Sequence, residues 1–354
     1  METTTRIEPQ KMEAFLGRVL GDFGASLGVT LGFIGDKLKL YKAMAFAGPL
    51  SSEEVAERSG TNERYVREWL INQAAGGYIV YDEVLRKYIL PDEHAVALTD
   101  ENSPFNVAGG FQIMNAMNKA YERIEENFLT GEGMKWGEHH HNLFEGTERF
   151  FKPSYLGNII DHWLPAITGI VDNLKTGITV ADIGCGHGIS TQIMAKAFPN
   201  SKFVGFDNHA PSIDKAREMG NKARLDNLEF EVSSAQDFKE KKYDLITFFD
   251  CLHDMGDPIN ALKHCRKMLN HGGVIMAVEP MAGQKIEENF NPVGRIYSGA
   301  SVLCCTPNAL ATGGYALGTI ASDKELEKVA KAAGFNHFRR ATETPFNRVF
   351  EIKD

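Results

Sequence analysis

The run Val180-Ala181-Asp182-Ile183-Gly184-Cys185-Gly186-His187-Gly188 restricts the fold more than any other part of the chain. An apolar strand ends in an acid. A Gly-x-Gly-x-Gly turn follows and opens a helix-forming segment from Ile189 to Ala197. The glycines permit a tight turn and let a ligand lie against bare backbone. Beyond it the pattern alternates. Phe203–Asp207, Leu228–Val232, Tyr243–Phe248 and Val274–Val278 read as strands, and Ile213–Ala223 and Pro258–Leu269 as helices. That rhythm implies a mostly parallel α/β sheet covered by helices on both faces. Asn336–Arg340 and Asn347–Ile352 read as two closing strands joined by a short link around Thr344-Pro345, which favours an antiparallel pairing.

The front of the chain is different. Lys11–Leu20 and Phe33–Met44 show helical apolar spacing, and Gly48-Pro49 ends the second run. Ser51 followed three residues later by Glu54 is a helix-start signal. Gly60 closes that helix, and Thr61 or Asn62 opens another that runs to about Ala75. Two short β segments follow, Tyr78–Asp82 and Lys87–Leu90. Helix, turn, helix and hairpin outline a winged helix. Residues 101–174 are helical apart from a Gly- and His-rich interruption at Gly131–Gly146. The expected organisation is a winged-helix domain over 1–100, a helical linker and lid over 101–174, and a ligand-binding α/β domain over 175–354.

The second strand of the α/β part ends in Asp207, whose carboxylate can accept from both hydroxyls of a ribose. With the glycine turn it defines a nucleoside pocket at the carboxyl ends of the strands. A dinucleotide fingerprint would need glycine at 189, where the chain has Ile189. Asp182 is placed to face a cationic amine across the turn. Ser234-Ala235-Gln236-Asp237 follows the third strand, where a backbone amide and a polar side chain can read an adenine edge.

On these residues the chain resembles class I S-adenosylmethionine-dependent methyltransferases. It is most similar to the bacterial, mycobacterial-type family that carries an N-terminal winged helix and is related to small-molecule O-methyltransferases. The resembling segments are Asp182–Gly188, Phe249–Pro258, Val278-Glu279-Pro280 and Arg339–Asn347. The resemblance implies a Rossmann-like, seven-stranded, mostly parallel sheet with an antiparallel last strand, and S-adenosylmethionine as cofactor. It implies that Gly184, Cys185, Gly186 and Gly188 back the methionine part and that Asp207 holds the ribose. Phe206 and Asn208 would flank the sugar or adenine, Ala235 and Gln236 would meet the adenine edge, and Asp250 would lie beside the sulfonium. Tyr155 is a further candidate for the cofactor carboxylate.

Leu252-His253-Asp254 resembles the His-Asp pair of plant-type O-methyltransferases. A hydroxyl acceptor gains from a base that removes its proton during attack, and His253 suits that role. Glu279, ending the next strand, would orient the imidazole, and Asp254 would cap the local turn. His140, His141, Tyr297 and Cys304 are candidate acceptor-binding residues. Adjacent side chains diverge, so His139-His140-His141 cannot easily meet one ion, and no metal is expected.

Acidic residues outnumber basic ones 47 to 38, a net charge of −9, which argues against broad nucleic-acid binding. In the winged helix, the Glu63–Leu70 segment has acids that cancel its arginines. The resemblance assigns this fold to dimerisation and lid duty, so a homodimer is expected. Five cysteines without metal-ribbon spacing suit a reducing compartment. No signal peptide is visible at Met1-Glu2 and the threonines after it, and the apolar Phe23–Ile34 stretch is too short to cross a bilayer. A cytoplasmic enzyme with a small-molecule methyl acceptor and no membrane partner is the expectation. Oxygen, sulfur or nitrogen could be the methylated atom. A very small thiol or sulfide acceptor that needs no general base, a cofactor-sensing regulator and a nicotinamide dehydrogenase remain competing readings.

Overall fold

A computed structural model describes residues 7–238 and 241–354, so the opening Met1–Thr5 lies outside the described residues. The chain divides into two compact units, one up to Asn115 and one from Ala116 onward.

In the first unit, α1 (Pro9–Lys37) is one 29-residue helix where two shorter ones were expected. The apolar Phe23–Ile34 stretch carries the helical period across the gap, and α1 stops where Lys39 turns to a positive φ of 61° before α2 (Leu40–Met44). The joined helix is long and apolar enough to cross a membrane by length and composition, which corrects the expectation drawn from Phe23–Ile34 alone. Its most apolar window is only 6% buried. Phe15, Leu16, Leu20, Phe23 and Leu27 are exposed, while Gly28, Gly32 and Gly35 pack inward.

α3 (Ser52–Ser59) starts in a full Ser51–Glu54 capping box and ends at Gly60 in the left-handed region. Asn62 caps α4 (Glu63–Ala75) by accepting from Arg64 N. The indole of Trp69 donates to Leu31 O at 2.9 Å. A Cβ on Gly35 would sit 2.5 Å from that ring, so glycine is needed where α1 crosses α4. β1 (Val80–Asp82) and β2 (Lys87–Ile89) form the antiparallel wing. Then come α5 (Asp92–Thr99) and α6 (Ala108–Asn118), the latter spanning the boundary between the units.

The second unit opens with α7 (Tyr121–Thr130) and α8 (Asn142–Asn158), the latter beginning inside the Gly- and His-rich interruption. A π turn (Ile159–Trp163) leads to α9 (Leu164–Ala166) and α10 (Ile170–Thr176). The alternating part then follows: β3 (Thr179–Ile183), α11 (Ile189–Ala197), β4 (Lys202–Asp207), α12 (Ala210–Ala223), β5 (Leu228–Val232), β6 (Tyr243–Phe249), α13 (Pro258–Met268) and β7 (Leu269–Pro280). α14 (Pro292–Ala300) and α15 (Thr306–Thr312) are joined by a second π turn, Ser301–Cys305. α16 (Asp323–Ala332), β8 (His337–Glu343) and β9 (Asn347–Lys353) complete the chain.

The seven-stranded sheet runs β5-β4-β3-β6-β7-β9-β8. β5, β4, β3, β6 and β7 pair in parallel, and β9 is antiparallel to both its neighbours. Side-chain alternation builds a core on each face. Ile275, Ala277, Phe350 and Ile352 join Leu262, Cys265, Leu326 and Val329 on one side. Val274, Met276, Val278 and Val349 join Ile159, Trp163, Met194 and Phe198 on the other.

Gly188, at φ 77°, starts α11, and a Cβ there would meet the Phe230 ring at 2.4 Å. Gly188→Ala should therefore lower the urea midpoint of this unit's transition, by the equivalent of about 2 kcal/mol or more from overpacking and backbone strain. Far-ultraviolet circular dichroism across a urea series measures it, and an unchanged midpoint contradicts the packing described.

Candidate active site

Strand order reverses at β3, which has β4 on one side and β6 on the other. A crevice opens at such a switch point beyond the carboxyl ends of the strands. The glycine turn crosses it, pinned to β4 because Gly184 N and Cys185 N both donate to Phe206 O, at 2.8 and 3.1 Å. Gly184, Gly186 and Gly188 have φ of 70°, 54° and 77°. Their missing side chains serve different ends. A Cβ on Gly184 would strike Cys251 Sγ at 2.7 Å, and one on Gly188 would strike Phe230, so both are packing glycines. A Cβ on Gly186 would meet nothing within 4 Å. Gly186 is where bare backbone faces open space.

Asp207 spans the turn. Its Oδ2 accepts from Gly186 N at 2.9 Å and its Oδ1 from His209 N at 2.8 Å, leaving lone-pair capacity on each oxygen. Burial pushes its pKa up against those two bonds. Asn208 is exposed next to it. Ala235 is half-buried against the core, and Gln236 is exposed with its Nε2 donating to Asp257 O at 3.4 Å. Cys185 is half-buried, and burial pushes its thiol up.

Two expectations need correction. Phe206 does not flank the crevice: its ring lies in the core, 5.1 Å from that of Phe238, and only its backbone carbonyl serves the turn. Strand alternation turns it inward because Asp207 must face out. Asp182 does not face an open cleft either. Its buried carboxylate accepts from Ser190 Oγ at 2.7 Å, Thr191 Oγ1 at 2.6 Å and Thr247 Oγ1 at 2.8 Å. Burial pushes its pKa up to about 6 despite the three hydroxyls.

The opposite wall begins at Asp250, which follows β6 in the left-handed region at φ 52°. Tyr155 Oη donates to its Oδ2 at 3.2 Å and Asn347 Nδ2 to its Oδ1 at 2.8 Å. Tyr155 lies within α8 and Asn347 opens β9, so both elements reach this acid. Burial first, and then the neighbouring Glu279, push the Asp250 pKa up to about 8.

The chain next makes a 3-10 turn, Leu252–Asp254. Glu279 grips it from the end of β7, with Oε1 accepting from Leu252 N at 3.1 Å and Oε2 bonded to His253 Nδ1 at 2.7 Å. His253 is 3% exposed and Glu279 1%. Burial works against the imidazolium, but Glu279 and Cys305 outweigh it and hold the imidazole well above its ordinary range. Asp254 is not the cap. Asp257 caps α13 by accepting from Asn260 N at 3.0 Å, while burial pushes the Asp254 carboxyl up against the pull of His253.

Cys305 was not among the expected site residues. The π turn at 301–305 brings its sulfur into hydrogen-bonding reach of His253, whereas Cys304 is fully buried behind it. A hydrogen bond from Cys304 and then the charge on His253 pull the Cys305 pKa down to about 5. Tyr297 is buried on the same helical run, its Oη donating to Phe346 O at 2.9 Å. It braces the β8–β9 turn and has no free donor for an acceptor molecule.

In the histidine triplet, His141 is exposed and stacks on His140, whose Nε2 meets Lys119 Nζ at 3.0 Å. His139 is the inward one. It is 6% exposed, neither ring nitrogen has a partner among the described residues, and burial pushes its pKa down. This segment is tied to the turn below it by Asn308, whose Oδ1 accepts from Trp136 N and whose Nδ2 donates to Asp254 O. A further contact missed in the sequence is His187 Nδ1 to Glu148 Oε2 at 2.7 Å, which joins the glycine turn to α8.

Asp250 binds a proton when folded that it loses when unfolded, between its ordinary value near 4 and about 8. Its contribution therefore makes stability fall as pH rises through that window and level off above it. Asp250→Asn should remove this dependence, melting higher than the parent at pH 8 and close to it at pH 4.5. Parallel thermal melts at the two pH values read the difference, and equal shifts at both would contradict the assignment. Asn tolerates the positive φ, so the backbone is spared.

Residues 174–334 match the family described as a methyltransferase domain, and residues 25–100 the Rv2258c-like winged HTH domain. Among curated proteins, the ubiquinone biosynthesis O-methyltransferase of Actinobacillus pleuropneumoniae serotype 7 is 29% identical over 134 residues, covering 35% of this chain and 54% of that protein. The malonyl-[acyl-carrier protein] O-methyltransferase 1 of Ilyobacter polytropus is 31% identical over 116 residues, 32% of this chain and 42% of that protein. The chain thus spans about half the length of these relatives. Among solved structures, human N-acetylserotonin methyltransferase in complex with SAM superimposes with a TM-score of 0.71 at 16% identity, covering 100% of this chain and 99% of that one. The mitomycin 7-O-methyltransferase MmcR gives 0.72 at 17%, covering 98% and 100%. At these identities the likeness establishes the fold. The front of the chain is thus similar to an Rv2258c-like winged HTH domain, and residues 174–334 to a methyltransferase domain.

Proposed function

We propose that this protein transfers a methyl group from S-adenosylmethionine to a hydroxyl of a small molecule. One observation carries the reading: the buried Glu279–His253–Cys305 chain stands beside a glycine turn and ribose-type acid, and Cys251 packs directly against Gly184. The residues present fit the cofactor. Gly186 offers open backbone, and each Asp207 oxygen retains a lone pair for a ribose hydroxyl. The cofactor, when bound, supplies an electrophilic methyl carbon on a sulfonium.

The chain's own residues then have two tasks. Asp207, Gly186 and the neighbouring Asp250 hold and orient the donor side, since methyl transfer depends chiefly on alignment. His253 and Cys305 handle the proton. The two groups lie within hydrogen-bonding reach and are pushed in opposite directions, His253 up and Cys305 down, so the reading gives them one proton shared between Nε2 and Sγ. Such a pair can take one more: the acceptor hydroxyl gives up its proton as its oxygen attacks, leaving imidazolium and thiol. Glu279 keeps Nδ1 occupied, so the exchange runs through Nε2. A thiol acceptor would need little of this apparatus at neutral pH. His139, with no partner for either ring nitrogen among the described residues, is the proposed acceptor-binding histidine in place of His140 and His141.

The winged-helix unit supports an enzyme rather than a DNA reader. Arg64 pairs with Glu68, and Arg67 with Glu63, on its own helix. Trp69 and Leu70 are buried. The exposed apolar stripe of α1 fits a second copy of the chain, giving a homodimer. Five free thiols fit a reducing cytoplasm.

The test is transfer of an isotopically labelled methyl group to hydroxyl, thiol and amine acceptors of graded size. Labelling of no acceptor sinks the proposal. His253→Ala should slow transfer to a hydroxyl by about 10²–10⁴-fold with unchanged affinity for S-adenosylhomocysteine by calorimetry. Equal rates would remove His253 from proton transfer. Asp207→Ala should weaken that affinity by about 10-fold or more. For the dimer, Leu20→Glu combined with Leu27→Glu should convert it to a monomer in light scattering; a monomeric parent would end that part of the reading.

A further inference from the structure

Three different ligand types converge at the base of this site. One imidazole nitrogen of His253, a carboxylate oxygen of Asp254 and Cys305 Sγ all lie within 4.8 Å of one another. Glu279 occupies Nδ1 at 2.7 Å, so Nε2 is the nitrogen left to face the other two. A carboxylate behind Nδ1 is the arrangement that fixes and strengthens a metal-bound histidine. Glu279 is itself held by Leu252 N, and Cys304 donates to the Cys305 sulfur. Outer support of both the nitrogen and the sulfur ligand is therefore already built.

We infer that His253, Asp254 and Cys305 form a binding site for a thiophilic divalent cation of the zinc class, and that this cation inhibits the enzyme. The donor set decides the class. One sulfur, one imidazole and one carboxylate suit Zn²⁺ or Co²⁺, whereas Mg²⁺ and Ca²⁺ take oxygen shells. Tetrahedral zinc holds such ligands roughly 3.5 Å apart, so side-chain shifts of about an ångström close the shell and leave a fourth position for water. Charge also favours it. Asp250, Asp254 and Glu279 are neighbouring carboxyl groups, and the only basic partner bonded to Glu279 among the described residues is His253. The cation takes the place of the proton shared by Nε2 and Sγ. That single lone pair on Nε2 cannot hold a metal and accept a proton together. Inhibition, though not binding, rests on the proton-transfer role proposed for His253.

Full-length protein is titrated with CoCl₂ after chelator treatment and gel filtration. One Co²⁺ per chain with a thiolate-to-cobalt charge-transfer band in the near ultraviolet is expected, displaced by ZnCl₂. Cys305→Ser should abolish the band and weaken Zn²⁺ binding by more than about 100-fold, beyond the loss typical of an outer-shell change. Its fold is checked by circular dichroism. A second measurement needs no variant: Zn²⁺ should protect Cys305 from iodoacetamide in mass spectrometry while Cys185 and Cys251 label as before. No charge-transfer band, or a band retained in folded Cys305→Ser, or no protection of Cys305, overturns the site. Zn²⁺ bound at Cys305 without loss of methyl transfer upholds the site and counts instead against His253 as the proton acceptor.

Discussion

The crevice depends on one buried charge. Asp182 leaves the end of β3 and is held by hydroxyls from Ser190 and Thr191 on α11 and from Thr247 on β6. An acid in the interior is costly unless its lone pairs are met, and here three donors from two other elements meet them. The result is a knot that ties the first strand, the helix after the glycine turn and the strand that delivers Asp250. The glycine turn and the wall that begins at Asp250 are fixed relative to one another by the same carboxylate. Its raised pKa marks the cost of placing it there.

Around that knot, α8 and β9 close the site by side-chain contact. α8 meets the glycine turn through Glu148 and His187, and meets Asp250 through Tyr155 seven residues later, on the same helix face. β9, the reversed strand, contributes Asn347 at its first residue. The antiparallel strand thus brings its amino end to the edge where the parallel strands have their carboxyl ends. A parallel strand in that position could not place its first residue there.

Much of this was legible in the sequence. The alternating half gave its strands and helices to within a few residues, because buried parallel strands and amphipathic helices leave strong periodic signals. Gly184–Gly188, Asp207, His253 and Glu279 were legible as a constellation because each lies at or just beyond the carboxyl end of a strand. The errors share a cause: a side chain's direction is set by phase, which sequence spacing does not report across an irregular turn. Phe206 lies inside because Asp207 faces out. His139 rather than His140 or His141 turns inward after the 3-10 turn Trp136–Glu138. Cys305 rather than Cys304 meets the imidazole because of the π turn. α1 is continuous where the spacing of Lys11–Leu20 and Phe33–Met44 marks two helices, because the uniformly apolar Phe23–Ile34 stretch between them hides the period that it nevertheless keeps.

The π turn at Ser301–Cys305 has an evolutionary corollary. Such a turn holds one residue more than an α-helix of the same length, and each residue of a helix advances its face by about 100°. Loss of a single codon here would rewind the segment into ordinary helix and swing a different side chain toward the imidazole. The reactive lining of the site is thus set by a one-residue length difference, and relatives could exchange sulfur for carbon or oxygen at that spot without altering any other part of the framework.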